Sequence, residues 1–287
     1  MSSSRLAVHG RRLFSGAMLA LTGLCAFTAV TLLMGILGYL LVHGIAALNW
    51  AFLTRLPVPV GETGGGIANA VVGSARLVVL AVGLAAPPAL LAAVYLSEWR
   101  DTRLASVLRA ATSMLNSVPS IVVGLFVYGT IVVRQRHFST FAGGVALAIL
   151  LLPMTLQAAA AALEALPGSL REAAFALGAS RLQTLSGILL PAAGPALLSA
   201  VLVAAARIAG ETAPLLFTAF NNSYWSPGWN QPTASLPVTI YTYAISPYDD
   251  WHRQAWAAAA ILLLAVVATS LITRGLLHAR WRSHERP

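Results

Sequence analysis

Ser169-Leu170-Arg171-Glu172-Ala173-Ala174, followed by Gly178 and then Ile188-Leu189-Leu190-Pro191, is a polar stretch set between two long apolar ones. Pro167-Gly168 stops the helix before it, and Ser169 to Glu172 has the Ser-x-x-Glu spacing of a capping box, so a new helix is expected there. Ser180-Arg181-Leu182-Gln183 repeats that signal just after Gly178, a residue suited to the left-handed position that ends a helix. The stretch therefore predicts two short helical pieces forming an elbow, a docking knob rather than a catalytic site.

The rest of the chain tells what the elbow interrupts. Of 287 residues 58% are hydrophobic and only 9% charged, the balance of an integral membrane protein. All 18 basic residues are arginines. Without a lysine the chain cannot build a phosphate-binding Walker A loop, so any ATP and magnesium chemistry belongs to a partner and no cofactor is expected on this chain. The single cysteine, Cys25, lies in an apolar run and offers neither a disulfide framework nor a thiolate metal site. Histidines at 9, 43, 137, 252, 278 and 284 lack metal-ligand spacing. The net charge of +9 is spread along the chain and no RNA-binding motif occurs, so nucleic acid is not the expected partner; membrane lipid is.

Six segments have the length and apolarity to cross a bilayer: 14–44, 70–96, 107–133, 141–163, 191–219 and 255–277. The expected architecture is all-α, with a tail over 1–13, a six-span domain over 14–277 and a second tail over 278–287. No small-residue cleavage site follows a short apolar core, so no removed signal peptide is expected. With the N-terminus in the cytoplasm, Arg5, Arg11, Arg12, Arg100, Arg103, Arg109, Arg171, Arg181, Arg274, Arg280, Arg282 and Arg286 lie on that side, and only Arg55, Arg134, Arg136 and Arg253 face out. The elbow, 167–191, then falls in the cytoplasm and a long loop, 220–254, outside. That loop carries Tyr224, Trp225, Trp229, Tyr241, Tyr243, Tyr248 and Trp251, with Trp256 nearby. These rings form either a belt at the headgroups or a platform for an external binding protein. Ser246-Pro247-Tyr248-Asp249 is expected to start the last span, with Asp249 and Asp250 as helix-dipole partners. Pro87-Pro88, Pro119, Pro153 and Gly194-Pro195 put helix breakers inside spans, which a bilayer tolerates only around protein or a water-filled cavity.

Arg207 is expected about 24 Å into the fifth span, too deep to snorkel, with Glu211 four residues on and on the same helical face. Either the two neutralise each other and lock helix packing, or the guanidinium meets an oxyanion in transit through its planar fork of donors. Arg76, nearer the outer surface in the second span, either snorkels or joins that pathway. No nucleophile elbow or carboxylate dyad supports hydrolytic chemistry.

These residues resemble a known group. Glu172-Ala173-Ala174, three residues, Gly178, nine residues and Ile188-x-Leu190-Pro191 match the EAA loop of ABC-importer permeases at every defined position. Gly64-Gly65-Gly66-Ile67, Val118-Pro119-Ser120-Ile121-Val122, Gly210 to Thr218, Ser235-Leu236-Pro237-Val238 and Ile240-Tyr241 extend the likeness to the phosphate-importer permeases of the PstA type. The resemblance implies the type I permease fold and a multi-pass chain of the bacterial inner membrane with cytoplasmic termini. It implies that the EAA loop seats in a groove of an ATPase subunit, so that Glu172, Ala173, Ala174, Gly178, Ile188, Leu190 and Pro191 carry coupling. It implies a second permease (PstC-type), two ATPase subunits (PstB-type) and a periplasmic phosphate-binding protein (PstS-type). Where the family commonly has an arginine and a pair of glutamates after Leu152-Pro153, this chain has Gln157, Ala160 and Ala161. Gln157 still offers a hydrogen bond to an oxyanion but no charge, which leaves the inner half of the pathway to the partner permease. A permease for sulfate, molybdate or phosphonate, and a channel or secondary transporter working without ATP, are the rival readings.

Overall fold

A computed structural model of the chain describes residues 3–59, 62 and 64–284. Arg286 lies outside the described residues, as do the side chains of Arg5, His9, Arg12, His278, Arg280, Arg282 and His284. All regular structure among the described residues is helical: α1 (Ser3–Ala47), α2 (Trp50–Thr54), α3 (Ala68–Glu98), α4 (Arg103–Ser117), α5 (Ser120–Val127), α6 (Val133–Gln135), α7 (Thr140–Glu164), α8 (Gly168–Ala176), α9 (Arg181–Thr184), α10 (Leu190–Ile208), α11 (Ala213–Leu216), α12 (Leu236–Ala244) and α13 (Asp249–His284). Two π-helical turns, Tyr128–Val132 and Leu185–Leu189, join α5 to α6 and α9 to α10. Helix α1 begins at Ser3 and α13 reaches His284, so both helices run on from the apolar segments into the expected tails.

Among the described residues five helical runs are long and apolar enough to cross a membrane, Phe14–Ala47, Ala68–Glu98, Thr140–Glu164, Arg181–Ile208 and Asp249–Gly275, and the bent pair Arg103–Ser117 and Ser120–Gln135 passes the same test as a sixth, broken span. The expected third span, 107–133, is not one helix. Its two halves meet at 98°, because Pro119 has no N–H to continue the ladder and pushes Val118 into extended backbone. The expected fifth span is also redrawn. It starts at Arg181 inside the elbow and ends at Ile208, where Ala209-Gly210 turns the chain out of the helix. By contrast, Pro87, Pro88, Pro153 and Pro195 lie inside continuous helices.

The bundle is built around α3 packed on α7. On α3, Ala81, Ala85, Ala89 and Ala93 recur every four residues and are all buried, a small-residue face that lets two backbones approach where apolar lipid provides no hydrophobic drive. They pack among Leu147, Leu151, Leu156, Ala159 and Leu163 of α7. Opposite the elbow, 220–254 is a folded cap rather than a free loop. The Leu236 N–H donates to Ser74 Oγ (2.7 Å), Asn69 Nδ2 donates to the Asn222 carbonyl (2.5 Å), and Thr140 donates to the Gln231 carbonyl through both N–H and hydroxyl. Gly73 permits this crossing, since a Cβ there would stand 2.0 Å from the Ala234 carbonyl oxygen.

The aromatic residues of the cap divide. Tyr243 is buried and stacks on Trp251 at 4.6 Å, while Tyr224, Trp225 and Trp229 are exposed. Burial, with the Asp250 carboxylate adding to it, pushes the Tyr243 phenol above its ordinary range, so this ring is packed core rather than belt. Asp249 and Asp250 do occupy the first turn of α13, and Asp250 accepts from Arg253 (2.9 Å) and Gln254 (2.8 Å).

The elbow forms with one change. Helix α8 starts at Gly168 on an N-cap of Pro167, so Ser169 is already inside it and makes no cap bond. The second box closes as expected: the Ser180 oxygen accepts from the Gln183 N–H (3.4 Å) and the Gln183 side chain accepts from the Ser180 N–H (2.8 Å). Gly178 takes φ +82°, ending the first piece. Arg171 then ties the elbow to the end of α3, donating to Glu98 Oε1 at 2.9 Å and to Ser97 Oγ at 3.2 Å. The pair is only 20% and 13% exposed. Arg171→Ala leaves that carboxylate without its partner and is expected to cost about 2 kcal/mol. Limited proteolysis should cut between 167 and 190 faster in this variant than in the parent, and unchanged cleavage would show that other contacts hold the elbow.

Candidate functional site

Two chain breaks converge on the middle of the continuous helix α7. The α4–α5 break supplies Leu115, Asn116, Val118 and Ser120, the middle of α7 supplies Leu150, Met154 and Gln157, and the end of α10 supplies Arg207, Ile208 and Glu211. Together they line a cavity of about 530 Å³. Its depth follows from α7, where Gln157 stands seven residues, roughly 10 Å, before the helix end at Glu164.

Each break contributes a physical property. Helix α5 opens at Ser120 with a proline N-cap and no side-chain cap, so the partial positive charge of a helix N-terminus lies beside the cavity. Arg207 sits in the last turn of α10, where the carbonyl end of the helix favours a cation. Its expected i,i+4 relation to Glu211 is lost because the helix ends between them. The Glu211 N–H bonds the Ile208 carbonyl (3.1 Å), and no Arg207–Glu211 ion pair forms. The arginine is exposed into the cavity, and Glu211 is half-buried on the same wall. The arrangement offers a guanidinium fork, two amides, a hydroxyl and a helix N-terminus to a small oxyanion, with one carboxylate to compete for the guanidinium.

Of the four residues expected on the pathway, Arg207, Glu211 and Gln157 meet in this cavity and Arg76 does not line it. Arg76 Nη1 donates to the Ser226 carbonyl of the cap, a structural contact. Asn116 and Ser120 line the cavity without having been singled out as site residues. Asn116 carried a signal, a polar amide just ahead of Pro119 in an apolar run, and Ser120 lay within the quoted Val118 to Val122 motif.

At the elbow, Glu172, Ala173, Gly178 and Pro191 are exposed, Ile188 and Leu190 are half-buried, and Ala174 is buried. Leu170, Phe175, Leu177 and Leu182 are exposed apolar side chains, Leu177 at 90%. The sequence reading missed them, although leucine and phenylalanine in a polar helical stretch were their signal. This apolar surface ringed by Glu172 and Arg181 suits a protein partner. Among the described residues no three His, Cys, Asp or Glu side chains group as metal ligands.

Residues 86–283 match the family described as binding-protein-dependent transport system inner membrane component. The chain is 43% identical over 232 residues to the phosphate transport system permease protein PstA of Yersinia pestis, covering 80% of this chain and 79% of that protein. It is 40% identical over 274 residues to the protein of the same name from Haemophilus influenzae, covering 95% and 97%. In fold it is similar to a chain of the MetNI methionine ABC transporter in inward-facing conformations, with a TM-score of 0.58, 18% identity, and 74% and 96% of the two chains covered. The chain is a multi-pass membrane protein and a permease component rather than an enzyme, and it belongs to the binding-protein-dependent transport system inner membrane components, among the PstA-type permeases.

Proposed function

We propose that the chain is the transmembrane permease subunit of an ATP-driven importer of inorganic phosphate, forming half of the translocation pathway and taking its drive through the elbow. The observation that carries this is the mid-bundle cavity, in which Arg207, Gln157 and the N-terminus of α5 face the same space. Tetrahedral oxyanions suit this donor set, and likeness to phosphate permeases over nearly the whole chain supports phosphate among them. In this reading Arg207 receives the anion, Gln157 adds an amide donor and Glu211 competes for the guanidinium, holding it between passages; Arg76 serves the pathway only by anchoring the cap.

The importer is completed by a second permease of the PstC type, two PstB-type ATPase subunits that hold ATP and magnesium, and a PstS-type binding protein on the cap side. The chain lies in the bacterial inner membrane with its elbow and both termini in the cytoplasm, which the crowding of arginines toward that side supports. Glu172, Ala173, Gly178 and Pro191 then meet the ATPase with Phe175, Leu177 and Leu182, while Ala174, Ile188 and Leu190 shape the elbow from within.

Uptake by the reconstituted complex tests the substrate: unlabelled phosphate should compete with labelled phosphate and sulfate should not, whereas equal competition by sulfate would overturn the assignment. Arg207→Ala is expected to lower phosphate uptake by about a hundredfold or more, two charge-assisted hydrogen bonds being lost, with the ATPase still co-purifying. Normal uptake would reduce Arg207 to packing. Glu172→Lys inverts an exposed charge in α8 and should reduce ATPase co-purification while the variant still inserts in the membrane.

A further inference from the structure

Beyond the mid-bundle cavity, a second one of about 260 Å³ opens toward the elbow end. It is lined by Arg109, Thr112 and Ser113 of α4 and by Gln157, Ala160, Ala161 and Glu164 of α7. Gln157 lines both cavities. From Gln157 through Ala160 and Ala161 to Glu164 the spacing is that of one helical face, so α7 presents a continuous track about 10 Å long. The alanines leave the space into which α4 sends its arginine.

Arg109 is held loosely. Its Nη2 donates at 3.3 Å to the Leu96 carbonyl and at 3.4 Å to Glu164 Oε1, both long for a charged pair, and the two side chains are 47% and 36% exposed. Its other guanidinium nitrogens have no protein partner among the described residues. Arg100 Nε also lies 3.9 Å from Glu164, so two guanidinium groups share one carboxylate and the locality carries a net positive charge. The Thr112 hydroxyl is committed to the Leu108 carbonyl (2.6 Å), which leaves Ser113 and Gln157 as the neutral donors. An exposed, under-neutralised guanidinium beside a hydroxyl and an amide in a small cavity has the donor set that a tetrahedral oxyanion needs.

We propose that Arg109 forms, with Ser113 and Gln157, a second oxyanion site on the elbow side of Arg207, where the transported anion rests before release and displaces Glu164 from the guanidinium. This rests on the reading of the chain as an oxyanion permease. It replaces the expectation that the inner half of the pathway depends on the partner permease, because the charge absent from α7 at Gln157 comes instead from α4.

The purified complex carrying Cys25→Ala and Ser113→Cys, so that its only permease thiol in this chain is at 113, is labelled with a neutral maleimide. Phosphate at saturating concentration should slow labelling about tenfold relative to chloride at equal ionic strength, as a charge-assisted contact would give. Adding Arg109→Gln should abolish the protection and Arg109→Lys should restore part of it. Equal labelling in phosphate and chloride, protection surviving in Arg109→Gln, or no labelling at all would each overturn the site. Protection by sulfate but not phosphate would refute the phosphate assignment of the importer and leave an inner oxyanion site standing. If Arg109→Gln fails to assemble with the ATPase, the phosphate and chloride arms on the Ser113→Cys complex decide alone.

Discussion

The structure depends on one constraint: backbone N–H and C=O groups within a bilayer must be satisfied by protein, so helices can end at membrane depth only where other helices or a wet cavity surround the ends. Here α4 ends and α5 begins at Val118-Pro119, α10 ends at Ile208, and α11 occupies four residues after a turn. The breaks are gathered rather than scattered. Helix α5 packs on α11 so closely that a Cβ on Gly124 would lie 2.7 Å from Pro214 Cα. The N-terminal end of α5 and the C-terminal ends of α4 and α10 thereby face a common space, and the polar cavity follows from helix termination as much as from side-chain choice.

What holds those ends in place is the α3–α7 pair. Its alanine face fixes the spacing of the bundle core, and its two ends are tied off differently. Near the cap, Thr140 and Ser74 bind the returning chain through backbone groups, and near the elbow, Glu98 of α3 takes Arg171. Directional polar contacts at both ends of an apolar core set the register of the bundle, which packing among alanines and leucines leaves loosely specified.

Much of this was legible in the sequence because the signals were local. Gly178 and the Ser180 to Gln183 box acted as their types predict, since no tertiary contact opposes them. Ser169 failed as a cap because Pro167 already sets φ near the helical value and admits Gly168 to the first turn, a competition between two valid start signals. The third span was legible in its apolarity but not in its shape, because mean apolarity counts residues and ignores the 98° turn that Pro119 allows. The place of Arg207 in a cavity was legible from its depth, but its relation to Glu211 was not, because a turn at Ala209-Gly210 removes Glu211 from the helical face that i,i+4 spacing assumes. Arg109 looked like one of many positive-inside arginines. Only the packing of α4 against α7 separates it from the rest.

The same helix that ends at the cavity begins in the elbow. Arg181 to Ile208 is a single run of 28 residues, roughly 40 Å, with the Ser180 cap at one end and Arg207 at the other. Its irregular part is the π-helical turn at Leu185–Leu189, placed just before Pro191, where the proline would otherwise clash with the preceding turn. Force applied to the exposed apolar side chains of the elbow therefore has two routes into the bundle: the Arg171–Glu98 pair into α3, and this helix into the arginine itself. Because α3 also packs on α7, both routes end on walls of the two cavities. A displacement of the elbow relative to the core would change the separation of Arg207 from Gln157, the kind of two-state change that the proposed passage of an anion from Arg207 to Arg109 requires.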